Sequence, residues 1–204
     1  MMTIVDYGLG NVLAFTNVYK RLNVPTVVAR TAADLQGASR IILPGVGAFD
    51  HAIELLNKSG MRDALNTLVT DSAVPVLGIC VGMQIITGSS EEGRLPGLDW
   101  IKGRVRKFDA ASLRQSTRLP HMGWNDVQPL RSGGLFAGLE RDARFYFLHS
   151  YYFSCANDAD IVATSEYGGQ FSSAVNSGNV YGVQFHPEKS HHFGTQLLKN
   201  FSTL

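Results

Sequence analysis

Over the first ninety residues, short apolar runs alternate with segments of helical periodicity, and few folds accept that pattern. Thr3-Ile4-Val5-Asp6 reads as a strand ended by Gly8 and Gly10. From Asn11, placed as an N-cap, Val12, Phe15, Val18, Tyr19 and Leu22 fall at helical spacing until Pro25 stops them. Thr26–Ala29 and Ile41–Leu43 read as further strands, the latter closed by Pro44-Gly45-Val46-Gly47. Helical segments follow at about 50–58 and 61–71, and then Val74-Pro75-Val76-Leu77-Gly78-Ile79 is apolar throughout. A strand with no polar face requires cover on both sides of its sheet. The pattern therefore predicts an α/β fold, a largely parallel doubly wound sheet flanked by helices.

The second half changes character. Gly103–Phe108, His121–Gln128, Phe145–Phe153 and Ile161–Tyr167 read as strands, Asn176-Ser177-Gly178-Asn179 as the turn of a hairpin, and about 193–202 as a closing helix. This predicts a smaller antiparallel extension. No linker or repeat interrupts the chain, so residues 1–204 read as one domain, a size that one core can support. The aromatic run Phe145, Tyr146, Phe147, Tyr151, Tyr152 and Phe153 reads as strand core with polar tips.

Eighteen basic and seventeen acidic residues leave a net charge of +1, no field for a polyanion, so no nucleic-acid partner is expected. A local run, Lys102, Arg104, Arg106, Lys107, Arg114 and Arg118, reads as a solvated strand face or a patch for an anionic partner. No apolar stretch is long enough to span a membrane, and the N-terminus lacks the pattern of a secretory leader. Two cysteines, Cys80 and Cys155, fit a reducing compartment, so a cytoplasmic location is expected. His191-His192 reads as an exposed pair, and without H-E-x-x-H or C-x-x-C spacing no metal is expected. No phosphate-binding loop is found, and Gly8-Leu9-Gly10-Asn11-Val12-Leu13 has leucine where a dinucleotide fingerprint needs its third glycine. No cofactor is expected.

Of the 21 glycines, two frame Cys80 in Gly78-Ile79-Cys80-Val81-Gly82, after the most apolar strand and before Met83, Ile85 and Ile86. This is the nucleophile-elbow pattern with sulfur for oxygen. A tight strand-to-helix turn forces the side chain outward, and the helix start favours a thiolate and aims N–H groups at a developing anion. The Val81 N–H is the nearest such donor, and a peptide of the Gly45-Val46-Gly47 loop is a candidate second one, at Gly47. Cys80 alone also fits a small buried cysteine, and the loop a plain turn. In Val183-Gln184-Phe185-His186-Pro187-Glu188, an extended chain would put His186 and Glu188 on one side, so the carboxylate can orient the imidazole. Together the three form a candidate Cys-His-Glu triad, nucleophile, base and orienting acid in chain order.

The elbow Gly-Ile-Cys-Val-Gly-Met-Gln, with Val-Gln-Phe-His-Pro-Glu near the C-terminus, resembles the class I (triad) glutamine amidotransferases. Asp6-Tyr7-Gly8-Leu9-Gly10-Asn11, Leu43–Phe49, Pro120-His121-Met122-Gly123-Trp124-Asn125 and Phe147-Leu148-His149-Ser150-Tyr151-Tyr152 narrow the resemblance. Over essentially the whole chain it is similar to the glutaminase subunits of imidazole glycerol phosphate synthases. The resemblance implies that Cys80 attacks the carboxamide of L-glutamine, that His186 passes the proton to departing ammonia, and that Glu188 orients His186. It places Gln84, His149, Ser150 and Tyr151 against the substrate, and Asn11, Trp124 and Lys189 against a cyclase subunit that consumes the ammonia in a heterodimer. A chain this short, with no ATP site, also argues on its own for an ammonia-consuming synthase partner.

Two departures, Val81 where the family has leucine and Ser190-His191-His192-Phe193 where it has a glycine-rich tail, resemble paralogues serving sugar-modifying amidotransferases of surface-polysaccharide synthesis. Other readings are a stand-alone cysteine peptidase or γ-glutamyl hydrolase, and a non-catalytic binding subunit.

Overall fold

The computed structural model describes residues 1–109 and 119–204. Arg114 and Arg118 of the basic run lie outside the described residues. The elements run β1 (Met2–Val5), α1 (Val12–Arg21), β2 (Thr26–Ala29), β3 (Arg40–Gly45), α2 (Phe49–Lys58), α3 (Arg62–Asn66), β4 (Val76–Cys80) and α4 (Val81–Ile85). The second half contributes β5 (Gly103–Lys107), β6 (His121–Asp126), β7 (Gln128–Pro129), β8 (Arg144–His149), β9 (Tyr151–Cys155), β10 (Ile161–Glu166), β11 (Gln170–Ser177), β12 (Val180–Val183) and α5 (His191–Phe201).

One mixed sheet has the order β2-β1-β3-β4-β12-β11-β10-β7, with β9 joined to β11 and β5 to β9. Pairings from β2 through β12 are parallel, and those beyond β12 are antiparallel. The predicted parallel sheet and antiparallel extension are thus halves of one surface. The strand β6 pairs with β8 in a separate two-stranded sheet. Helix α1 packs against α5, and α2 against α4. Every residue of β4 is buried, as its unbroken apolar sequence requires.

The N-cap at Asn11 forms as expected, its side-chain oxygen accepting from the Ala14 N–H at 3.2 Å. Elsewhere the boundaries differ from expectation for local reasons. The segment 61–71 is α-helical only over Arg62–Asn66 and widens into a π-type turn over Thr67–Asp71, where Thr67, Val69 and Thr70 are β-branched, poor helix formers. His121–Gln128 is two strands, interrupted at Val127, whose N–H donates to Ala143 at 2.9 Å. Phe145–Phe153 is likewise two strands. It breaks at Ser150, so β8 pairs with β6 while β9 pairs with β5. The aromatic run masks that break because Phe145, Phe147 and Phe153 are fully buried on both sides of it.

The register of the parallel strands sets the site. Gly45 at the end of β3 pairs with Cys80 at the end of β4, and Val183 of β12 pairs with Ile79. Chain leaving β12 therefore passes beside Cys80. The turn from β4 into α4 is so close to β3 that a methyl carbon on Gly82 would stand 1.9 Å from the Leu43 carbonyl oxygen. On Gly78 it would stand 2.6 Å from the Gly82 oxygen. Both clashes are with backbone, so neither neighbour can step aside by changing rotamer.

Gly82→Ala is therefore expected to lose about 3 kcal/mol, the upper end for overpacking. For a chain of this size that lowers the melting temperature by roughly 6–12 °C. Thermal unfolding followed by circular dichroism checks this, and an unchanged midpoint would contradict the packing argument.

Candidate active site

Cys80 ends β4 with φ 55° and ψ −112°, a conformation that a residue with a side chain adopts only under constraint. The residue is buried, with only 3% of its surface exposed. It faces a cleft of about 350 Å³ lined by Val46, Gly47, Cys80, Val81, Gln84, Glu92, Pro120, Leu148, His149, Ser150, Tyr151, His186 and Lys189. The candidate nucleophile, all the substrate-side candidates and His186 are thus brought to one cavity. Cys80 Sγ lies 3.8 Å from the Leu148 carbonyl oxygen.

His186 lies after β12 in an extended conformation, φ −102° and ψ 92°. Its Nδ1 is 2.8 Å from Glu188 Oε1, and both side chains are only 3% exposed. The pair forms as expected, but not through an extended chain. Instead, Pro187–Lys189 forms a 3₁₀ turn that starts at the proline, and the turn swings the carboxylate back to the ring. The imidazole position is fixed by backbone as well: His186 N–H donates to Tyr146 O at 2.8 Å. Ser190 Oγ donates to His186 O at 2.6 Å and accepts from Tyr146 N–H at 3.0 Å.

With Nδ1 engaged by Glu188, the other ring nitrogen serves the hydrogen bond to Cys80. Burial alone would depress the imidazolium, but the Cys80 and Glu188 hydrogen bonds and charges overcome it and push His186 up to about 10. The ring is therefore held protonated beside the sulfur at neutral pH. Glu188 Oε2 is buried without a hydrogen-bond partner among the described residues, so Oε1 alone carries its pairing.

A second histidine pair lies on the opposite wall. His149 Nδ1–H donates to Tyr151 O at 2.8 Å, and His149 Nε2 accepts from His121 Nδ1–H at 2.9 Å. Asn125 Nδ2 completes the chain at 3.2 Å from His121 Nε2. The His121 ring is stacked between Phe147 (4.6 Å) and Tyr167 (3.9 Å). Burial depresses His121 to about 4 and, with His121 beside it, His149 to about 3, so both rings are neutral near pH 7. With both nitrogens of His149 engaged internally, its backbone is what remains for a ligand. Gln84 donates through Nε2 to Tyr151 O at 3.0 Å and to Gln184 Oε1 at 3.2 Å, which leaves its own Oε1 as an acceptor.

The partner-side candidates divide. Trp124 is 40% exposed and stacks on His191 at 5.3 Å; His191 and His192 are both exposed, as expected. Lys189 Nζ sits 5.8 Å over the ring of Tyr146, the cross-strand neighbour of Trp124. Met122 and Leu148, also cross-strand neighbours, are exposed beside them. Asn11 is exposed, but its side-chain oxygen is engaged in capping α1. Of the basic run, Lys102 pairs with Asp99, Arg104 with Glu91 at 3.8 Å, and Lys107 lies over the Tyr151 ring. This is a strand face with local partners.

The description of glutamine amidotransferase class-I fits residues 3–203. The chain belongs to this family. Bdellovibrio bacteriovorus has a protein called imidazole glycerol phosphate synthase subunit HisH that is 63% identical over 204 residues, 100% of both chains. The protein of that name from Leptospira interrogans is 50% identical, again over 100% of both. Among solved structures, a putative GMP synthase component from Thermoplasma acidophilum aligns with a TM-score of 0.72 at 23% identity, covering 98% of this chain and 90% of that one. That likeness supports the amidotransferase fold.

In and around this cleft, four residues escaped the sequence reading. Glu92 brings a carboxylate to the cleft because its Oε2 accepts from Phe49 N–H at 2.9 Å, across 43 positions of sequence. No local pattern marks it. Ser190 and His121 act through the bonds above, and Gln184 donates from Nε2 to Cys80 Sγ at 3.8 Å. His121 and Gln184 stand inside motifs read for other residues.

The elevated His186 value has a direct consequence. Its folded value lies above the ordinary 6.5, so the ring stays charged as pH rises through neutrality and discharges only near 10. In Glu188→Gln one of the two stabilising charges is gone, and the midpoint falls by about 1–3 pH units. Ring NMR titration between pH 5 and 11 checks this; coincident curves for the two proteins would contradict it.

Proposed function

We propose that this chain is the glutaminase subunit of imidazole glycerol phosphate synthase. In this reading it hydrolyses L-glutamine to glutamate and ammonia in the cytoplasm and passes the ammonia to a cyclase subunit in histidine biosynthesis. The carrying observation is the Cys80–His186–Glu188 arrangement at a cleft able to hold an amino acid, in a chain 63% identical end to end to a protein named as that subunit. No membrane-crossing helix exists among the described residues.

In this reading the thiol proton already rests on His186, at the nitrogen not held by Glu188. The Cys80 thiolate attacks the carboxamide carbon, and the carbonyl electron pair moves to oxygen. The N–H groups of Val81 and Gly47 receive that oxyanion. As the tetrahedral adduct collapses, the C–N bond breaks and His186 returns its proton to the leaving nitrogen, which departs as ammonia. A water deprotonated by His186 then attacks the thioester, and the C–S bond breaks to release glutamate. Gln84 Oε1 accepts from a substrate donor. The Glu92 carboxylate faces the α-ammonium, and the backbone of His149, Ser150 and Tyr151 holds the α-carboxylate end. Both departures are compatible with this chemistry: Val81 acts through its backbone, and Ser190 supports His186 by donating to its carbonyl.

The exposed face formed by Met122, Trp124, Tyr146 and Leu148, with Lys189 at its edge and Asn11 on the same carboxyl edge of the sheet, suits the cyclase. Full-length identity to the synthase subunits supports this acceptor over a sugar-modifying one.

Ammonia release from glutamine, assayed with the cyclase subunit present, tests the reading. Cys80→Ser is expected to lose activity by on the order of 10³-fold or more, and unchanged turnover would overturn the nucleophile. Trp124→Ala is expected to weaken cyclase binding about thirtyfold, the loss of one interface hot spot. Isothermal titration measures this, and an unaltered Kd would exclude that face. Glu92→Gln should raise KM about tenfold with little change in kcat, as lost ground-state binding does.

A further inference from the structure

Gln184 is wholly buried at the end of β12, 0% exposed, and the mechanism above leaves it without a task. Its backbone N–H donates to Ser173 O at 2.9 Å, which holds the chain in line after the last ladder pair. Because Val183 pairs with Ile79, the next residue falls beside Cys80. There the Gln184 amide nitrogen lies 3.8 Å from Sγ, the length of an N–H···S bond.

The direction of that amide is fixed by its neighbours. Tyr151 O can only accept, and it receives Gln84 Nε2–H at 3.0 Å as well as the His149 ring N–H at 2.8 Å. The Gln84 amide must therefore present its NH₂ group to this side, and its second N–H meets Gln184 at 3.2 Å. Gln184 has to answer with its oxygen, which leaves its NH₂ facing the sulfur. A flipped Gln184 would set two donors against each other at one end and an oxygen against sulfur at the other. The orientation thus follows from an acceptor that cannot reverse.

We infer that Gln184 is a further catalytic residue of the glutaminase reaction, donating a hydrogen bond to the Cys80 sulfur, and that Gln84 and the Tyr151 carbonyl are what aim it. This deepens the glutaminase reading and rests on Cys80 as nucleophile. The Cys80 proton goes to His186, and the Gln184 proton stays on its nitrogen throughout. The bond is strongest while sulfur is charged, before attack and again as sulfur leaves the thioester, because donors to ionised acceptors bind more tightly. An amide suits this place better than a second cation, since it holds the thiolate without competing with His186 for the proton.

The test is the pH dependence of Cys80 alkylation by iodoacetamide, in a Cys155→Ala background with the site confirmed by peptide mass, beside kcat and KM for glutamine. Gln184→Met keeps the length and volume but has neither donor nor amide oxygen. Its alkylation midpoint is expected to rise by about one pH unit, with kcat down several-fold at neutral pH and KM within about twofold. Gln84→Met, which frees Gln184 to turn, should shift the midpoint in the same direction by less. A folded Gln184→Met protein with the wild-type alkylation profile overturns the inference. Should that variant fail to fold, the wild-type Gln184 side-chain amide resonance decides: it must move as Cys80 titrates and stay still in Cys80→Ala, and an amide blind to that titration overturns the inference equally. Failure of glutamine turnover alongside a shifted alkylation profile would instead count against the glutaminase reading.

Discussion

The close crossing of α4 over the ends of β3 and β4 is the constraint on which everything else depends. Leu43 O, Gly78 and Gly82 meet with no room for a methyl group, and at that crossing Cys80, midway between the two glycines, has a positive φ. Strain of this kind costs on the order of 1–3 kcal/mol and persists only where the surroundings over-determine it. Here they do, because β4 is buried along its whole length in the middle of a ten-stranded sheet. Strand stability is thereby converted into a fixed direction for one sulfur atom.

Around that atom the structure separates two electrostatic regimes. On one wall, His186 is buried against Cys80 and Glu188 and is pushed up to about 10. On the other, His149 and His121 are buried against each other and against carbonyls and aromatic rings, and fall to about 3 and 4. All three rings are buried, so desolvation lowers each of them. Charged partners are what differ, and they decide which histidine is charged near neutrality and which are neutral. The neutral pair keeps Tyr151 O in place, and through Gln84 and Gln184 that carbonyl orders the last donors before the sulfur.

Much of this was legible in the sequence. The all-apolar Val74–Ile79 run fixed a central strand, Asn11 an N-cap, and the glycines around Cys80 an elbow. The local patterns failed where geometry came from elsewhere in the chain. His186 and Glu188 were paired correctly for an incomplete reason, since a proline-started turn rather than an extended strand joins them. The break at Ser150 was invisible because aromatic residues lie on both sides. Glu92 reaches the cleft only through Phe49, and Gln184 faces Cys80 only through the register of β12 on β4. Such contacts carry no periodicity and no spacing, so sequence alone could not point to them.

The proposed chemistry requires the Cys80 sulfur to attack a glutamine carboxamide bound in the cleft, and a glutamine-shaped electrophile tests that most directly. After incubation with a diazoketone analogue of glutamine, the intact mass and peptide map should show one adduct, on Cys80, with Cys155 untouched and labelling slowed by added glutamine. An adduct on another residue, or labelling of Cys80 that glutamine leaves unchanged, would contradict that chemistry.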